Sequence, residues 1–469
     1  MTRRGRTWLM AVLPAAVVLL AVSAGWAIER FPPPDFTDHA LPHTDVPEPS
    51  FRVAESYVPL NLFAALGFAS FFAVVLRSRR WLLALAVLSL AWFGFWRQGC
   101  VCPIGSIQNV TVAVFDPGYA IPWTIVAFFA MPLVFALFFG RTFCAAVCPL
   151  GALQELFVLR PVKVPAWLEG TLGLLAYVYL GLAVLFAATG AAFVICRYDP
   201  FVAFFRLSGS WNMLIVGACF LAIGVFVGRP YCRFLCPYGV LLRWTSKVSQ
   251  WHLKIPPKEC IQCRLCEDAC PYGAIRPPTV EQKAEDRARS RRRLALAIVL
   301  LPVLILLGAG LGCLLGEPMS RLHPTIRLAE EIYREEKAKH EYAEITARQT
   351  EEAADAGQLA VLESIMLGTD ATDAFRNTGE PIEGLYHKAF AKWEEFHRAG
   401  MWFGVWVGLV IGVKLIHLQI RRRRADYEPD RGSCVSCGRC FRYCPGELER
   451  RGLIQDVAEP AKQAAGDKA

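Results

Sequence analysis

Two cysteine runs of identical spacing, 174 residues apart, constrain what this 469-residue chain is able to fold into. Cys260 to Pro271 and Cys434 to Pro445 both read C-x2-C-x2-C-x3-C-P. That spacing lets three thiolates face one iron–sulfur cube, while the fourth cysteine, turned away before its proline, serves the cube of the other run. Cys260, Cys263, Cys266 and Cys444 are then expected to hold one [4Fe-4S] cluster, and Cys434, Cys437, Cys440 and Cys270 the other. Each set draws on both runs, so the fold has to bring them together. Structural zinc is the competing reading, but zinc ligands come as two separated pairs rather than as one run of this kind.

Membrane separates the two runs. A basic stretch, Lys283 to Arg293, precedes an apolar span at 294–315; a polar segment and a second apolar span, 401–420, follow, closed by Arg421 to Arg424. The positive-inside rule puts the arginine clusters, and both cysteine runs with them, in the cytoplasm. One ferredoxin-like domain is therefore expected to be split by a hairpin that crosses the bilayer, visits the outside and returns.

The rest of the chain fits this frame. It is 55% hydrophobic and 19% charged, which leaves no soluble globular reading. Apolar stretches at 8–28, 57–76, 81–97, 121–140, 168–194, 211–228, 294–315 and 401–420 approach the roughly 20 residues a bilayer requires. Arginines mark alternate ends (Arg3, Arg4 and Arg6; Arg77, Arg79 and Arg80; Arg141; Arg229 and Arg233), which fits eight spans with both termini cytoplasmic. The net charge of +9 then reads as anchoring to inner-leaflet lipid, with no nucleic-acid partner. The first stretch is expected to be an uncleaved anchor, because Gly25-Trp26-Ala27 makes a poor cleavage site.

The expected fold is an all-α multi-pass membrane protein with a small split two-cluster ferredoxin-like α+β domain on the cytoplasmic side. Residues 1–56 supply the N-terminal anchor and a short periplasmic segment, 57–250 the core helices, and 251–280 the first ferredoxin half. Residues 294–315 and 401–420 span the membrane on either side of a periplasmic helical segment, 316–400. Residues 421–469 supply the second ferredoxin half and a tail.

The core contains a repeat. Gly140 to Gly151 recurs as Gly228 to Gly239, at an offset of 88 residues, in the form G-R-x-[F/Y]-C-x3-C-P-x-G, and Gly99 to Gly105 is a shortened version. Two copies at a fixed offset suggest a pseudo-symmetric helical core. Cys144, Cys148, Cys232 and Cys236 fall at its cytoplasmic edge. Two readings stay open for them: ligands of a third [4Fe-4S] cluster, or structural or redox thiols in a turn where proline starts a helix and glycine permits close approach. Cys100, Cys102 and Cys196 fall at the outer edge. There a disulfide from Cys196 to Cys100 or Cys102 suits an oxidising periplasm, and a redox centre with Asp199 is the other reading. Cys219 and Cys313, mid-span, are expected to be small buried hydrophobes.

Several chemistries are excluded. No C-x-x-C-H attaches a c-type haem, and the spans lack the paired histidines that hold haem b. The glycine run Gly308 to Gly312 lies inside a span, where small residues serve helix packing rather than nucleotide binding. The outside segment is helical in pattern, with Pro381 starting its last helix. It reads either as a docking surface for a periplasmic partner or as a spacer. His323 and His397 flank the membrane there and are candidates to line a quinone pocket or to ligate a partner's cofactor.

The split double run, the paired C-x3-C-P units and the stretch Cys196-Arg197-Tyr198-Asp199-Pro200-Phe201 resemble the NapH/NosR-type polytopic membrane ferredoxin family, over residues 57–275 and 401–446. The resemblance implies an inner-membrane electron-transfer component, in the manner of a quinol dehydrogenase subunit. Such a protein exchanges electrons between the quinone pool and a periplasmic reductase of nitrate or nitrous oxide type. It also implies that the eight cysteines of the two runs are ligands. NosR-type members carry a periplasmic flavin domain; here Thr369-Asp370-Ala371-Thr372 lacks the glycine of the flavin-attachment motif, and 29–56 is too short for such a domain, so no covalent flavin is expected. The alternative function is a redox-sensing regulator or a maturation factor for a metalloenzyme, working through clusters or thiols.

Overall fold

The computed structural model describes residues 53–99, 102–206, 211–255, 260–279, 287–348, 356–420 and 424–453. The chain forms two units, one from Met1–Val184, Phe193–Leu294 and Leu418–Ala469, the other from Leu185–Ala192 and Ala295–His417.

The described residues are mostly helical. Among the described residues, four helices are long and apolar enough to cross a membrane: Tyr57–Val75, Trp167–Ala188, Arg289–Ser320 and Ile382–Gln419. They cover the spans expected at 57–76, 168–194, 294–315 and 401–420. The stretches at 121–140 and 211–228 form shorter apolar helices, Trp123–Phe139 and Trp211–Gly224. The 81–97 stretch is a helix, Arg79–Ser89, that runs on into the wider π-helical turns Leu90–Trp96. The 8–28 stretch lies outside the described residues.

A third short apolar helix, Pro103–Phe115, has no counterpart among the expected spans. Its 13 residues reach about 20 Å at 1.5 Å per residue, well short of the ~30 Å of a hydrocarbon core. Most of its side chains are buried. Cys102 is its N-cap and Pro103 its first residue, a placement that suits proline because the first-turn N–H has no helical acceptor. The Pro149–Leu156 and Pro237–Lys247 helices begin the same way, on Cys148 and Cys236. The repeat is thus one local device used three times: a broken helix restarted by Cys-Pro.

Two short strands join the halves of the split domain within the first unit. Ile275–Arg276 pairs antiparallel with Glu428–Pro429, Ile275 opposite Pro429 and Arg276 opposite Glu428. The ladder continues through the Asp430 N–H, which donates to the Ala274 carbonyl at 2.7 Å. Below it lies a core of Leu253, Ile255, Ile275, Tyr427 and Phe441 with Cys266 and Cys440, against which Cys260, Cys270, Cys434 and Cys444 pack.

The second unit is built on two long helices, the first being the part of Arg287–Ser320 beyond Leu294. The expected boundary at 401 moves: its last helix starts at Ile382, because Pro381 fixes the start and nothing breaks the helix before Gln419. Gly400, Gly404 and Gly408 face Gly308, Gly312 and Gly316, so closely that a methyl group at Gly400 would stand 2.5 Å from the Gly312 carbonyl oxygen. Small residues let helix backbones touch in this way. Ile326, Ala329, Ile332, Phe375, Leu385 and Ala389 form the core of the intervening helices. Cys219, expected to be buried, is exposed on Trp211–Gly224; an apolar position in a membrane helix is as well served by lipid as by protein.

Candidate metal centres

The two cysteine runs fold alike. In the first, Gln262 and Arg264 have positive φ (53° and 64°); in the second, the matching positions Ser436 and Gly438 do too (54° and 71°). Non-glycine residues rarely hold this conformation unless the surroundings enforce it. Alternating backbone hand turns successive N–H groups toward one centre, a concavity that suits anions and iron–sulfur clusters.

The thiols group as the spacing suggests. Burial pushes the Cys266 thiol up to about 12, and the neighbouring thiols of Cys263, Cys444 and Cys260 push the same way. Burial likewise raises Cys440, whose foremost electrostatic neighbours are Cys434, Cys437 and Cys270. Cys270, Cys434, Cys437 and Cys440 line one pocket, together with Tyr272, Val435 and other residues. So Cys444 stands with the first run and Cys270 with the second. Among the described residues no three His, Cys, Asp or Glu side chains converge tightly enough to grip a single ion. A cube takes its thiolates at four corners, one per iron, and so needs them further apart than a mononuclear site does. Four thiols around one pocket fit a [4Fe-4S] cluster, and loading it releases the thiol protons.

The four cysteines of the repeat also meet. Cys148 and Cys236 are buried. Cys148 has Cys232, Cys144 and Cys236 as electrostatic neighbours, and burial is the main cause that raises its thiol. The amide of Gly151 reaches Cys148, and that of Gly239 reaches Cys236, which gives the glycine of C-P-x-G a donor role. Gln154 ties the copies together: its Nε2 stands 3.3 Å from the Cys232 sulfur, and its Oε1 accepts from the Tyr231 N–H at 3.1 Å. The repeat arginines cross over. A methyl group at Gly151 would stand 3.1 Å from Arg229 Nη1, and one at Gly239 3.4 Å from Arg141 Nη2.

One carboxylate joins these parts, and the sequence reading did not single it out. Glu155 accepts from Arg79 Nη2 at 2.6 Å, from Arg229 Nε at 3.0 Å, and from Arg439 Nη2 at 2.9 Å. The Tyr272 hydroxyl also donates to it. Burial alone would raise this carboxyl, but the guanidiniums of Arg229, Arg439 and Arg79 overcome that and hold it well below the usual range. The available signal was a lone acid in the otherwise apolar flank of the first C-x3-C-P unit. Glu447, likewise buried, accepts from Arg450 Nη2 at 2.7 Å and Arg451 Nε at 3.0 Å, and pairs with Arg77 at 2.9 Å.

Cys102 carries a free thiol, and the Cys196 sulfur would stand 3.2 Å from a methyl group on Gly105. Cys100 lies outside the described residues, and with it the disulfide expected through it. In the second unit, His323 is buried and its Nδ1 accepts from the Thr325 N–H at 3.2 Å, a local turn contact. His397 stacks on Trp393, with ring centres 4.2 Å apart.

Comparison with known proteins locates these features in two 4Fe-4S binding domain families. One matches residues 121–166 and 210–256, the two C-x3-C-P units; the other matches 253–276, the first cysteine run. NirI of Paracoccus denitrificans is 32% identical over 222 residues, 43% of this chain and 31% of NirI. YccM of Escherichia coli is 29% identical over 156 residues, 30% of this chain and 43% of YccM. The regulatory protein NosR of Stutzerimonas stutzeri is 26% identical over 223 residues, 43% of this chain and 30% of NosR. The matched region thus spans less than half the length of each of these relatives. No solved structure matches. The 4Fe-4S domains, the apolar helices and these relatives together support a likeness to the NosR/NapH-type membrane ferredoxins.

Proposed function

We propose that this protein is a quinol-linked iron–sulfur electron conduit of the bacterial inner membrane that serves a periplasmic reductase of nitrous oxide or nitrate type. The observation that carries the reading is the gathering of Cys270 with Cys434, Cys437 and Cys440 around one pocket, across a gap of more than 150 residues. A second cluster falls to Cys260, Cys263, Cys266 and Cys444, and a third to Cys144, Cys148, Cys232 and Cys236, where a 4Fe-4S family also matches. Such clusters take up and pass on single electrons.

The chain's own residues supply the rest. Helix-starting cysteines receive backbone N–H groups, and buried arginines offset cluster charge. Apart from the last long helix, which begins at Ile382, the domain limits are taken as read from the sequence, with eight spans and both cysteine runs on the cytoplasmic side, a topology that the arginine clusters support. Quinol bridges the distance that the cytoplasmic clusters leave uncovered, and Cys100, Cys102, Cys196, His323 and His397 are candidates to meet it or the partner on the outer side.

Iron and acid-labile sulfide per chain in anaerobically purified protein test this reading. Twelve irons, as three [4Fe-4S] clusters require, are expected. Eight would confine the cofactors to the split domain and leave the C-x3-C-P cysteines as thiols, while iron well below eight would refute the conduit.

A second reading, a redox-sensing regulator or maturation factor, is favoured by the name of one relative, the regulatory protein NosR. Steady turnover with a quinol analogue supports the conduit; loss of function confined to biogenesis of the partner supports the regulator.

A further inference from the structure

The inner cysteine set and the split domain meet at one place. Cys144 packs against Tyr272, Ala274 and Val435, the same residues that Cys270, Cys434 and Cys437 pack against. Arg229 acts electrostatically on both Cys232 and Cys437. The Cys260, Cys263, Cys266 and Cys444 set adjoins the Cys270 set as well: Cys266 shares a core with Cys440 and is its electrostatic neighbour. The Cys270 set is therefore the one that neighbours both of the others, which makes a series of the three.

Glu155 stands at the inner junction of that series. Its partners reach both sides of it: Arg79 Nη1 donates to the Cys437 carbonyl at 2.9 Å, and Arg229 Nη1 donates to the Cys144 carbonyl. Arg439 sits one residue before Cys440. The Glu155 carboxylate itself acts on Cys437. Net charge and hydrogen bonding near the ligands set a cluster's potential.

We propose that Glu155 is the positioning residue of the junction between the ferredoxin part and the inner cysteine set, and that its charge sets the reduction potential of the cluster held by Cys270, Cys434, Cys437 and Cys440. This deepens the conduit reading and rests on its cluster assignment. Without the carboxylate, the guanidiniums of Arg79, Arg229 and Arg439 stand uncompensated beside Cys437 and favour the reduced, more negative cluster. A carboxylate that only glued helices together would leave the potentials where they are.

The test is an EPR-monitored redox titration, with iron content, of full-length protein purified anaerobically: wild type, Glu155→Gln, Glu155→Asp and Arg79→Gln. Cys263→Ser and Cys148→Ser variants, each lacking the signal of one of the other two clusters, identify the signal of the Cys270 set. Glu155→Gln is expected to keep its iron and to move the midpoint of the Cys270-set cluster to more positive potential, with the Cys260-set cluster unmoved. Arg79→Gln moves the same midpoint the opposite way, and Glu155→Asp restores it. Unmoved midpoints, or equal movement of the Cys270-set and Cys260-set clusters, overturn the inference. If Glu155→Gln fails to fold, the direction of the Arg79→Gln shift decides. Wild-type protein without any [4Fe-4S] signal overturns the conduit reading itself.

Discussion

Arg229 of the second repeat unit reaches Glu155, which follows the first, at 3.0 Å, with both side chains almost wholly out of solvent. Its counterpart in the other unit, Arg141, is also buried but donates to the Gly432 carbonyl at 3.2 Å and to the Cys144 sulfur at 3.7 Å. The two arginines occupy equivalent positions and have taken different work.

That difference predicts unequal mutational costs. Arg229→Gln breaks a buried ion pair, a change worth roughly 3–5 kcal/mol, softened here because Arg79 and Arg439 still face Glu155. Arg141→Gln loses neutral contacts and is expected to cost less. Thermal unfolding in detergent, compared between the two variants, checks the order; equal losses would contradict it.

Cysteine swaps predict a crossed pattern. Cys270→Ser should abolish the same EPR signal as Cys434→Ser, although Cys270 lies in the other run. Cys444→Ser should match Cys260→Ser. Each variant is expected to lose about four irons, the content of one [4Fe-4S] cluster. A Cys270→Ser variant that instead matched Cys260→Ser would show each run closing its own cluster.

Two neighbouring glycines predict opposite outcomes. A methyl group at Gly310 meets nothing within 4 Å, whereas one at Gly312 runs into the Gly400 carbonyl and stands 2.9 Å from the Gly404 Cα. Gly310→Ala should be neutral or gain up to about 1 kcal/mol from helix propensity. Gly312→Ala should lose about 1–3 kcal/mol by overpacking. Tryptophan fluorescence during thermal unfolding distinguishes them.

His252 predicts a pH effect. Burial lowers its pKa to about 4, helped by Arg431 and Lys254. The unfolded chain, with a histidine near 6.5, then binds the proton first as the solution is acidified. The contribution of this residue to stability is therefore intact above about 6.5 and is lost as pH falls toward about 4. A His252→Gln variant should show a flatter stability profile across that window, and an unchanged slope would count against it.

Much of this was legible in the sequence because the signals are local. The double cysteine run, the G-R-x-[F/Y]-C-x3-C-P-x-G repeat and the long apolar stretches each announce themselves within 25 residues or so. The glycine stripe was half visible: Gly308 and Gly312 sit in a conspicuous run, but their partners Gly400, Gly404 and Gly408 lie about 90 residues on. Pro103–Phe115 escaped because its apolar stretch is shorter than a span. The Glu155 hub was invisible for another reason. Arg79, Arg229, Tyr272 and Arg439 come from four distant segments, and only the folded chain makes them neighbours.

The pairing of Ile275 with Pro429 also sets an order of events during synthesis. The ribosome must add some 150 residues after the first strand before the second exists, which takes roughly 8 to 30 s at typical elongation rates. In that interval the two long apolar helices between the strands are made while the early strand has no partner. Completion of the split domain therefore waits on synthesis of everything between its halves, and a nascent chain arrested short of residue 428 has nothing with which to close it.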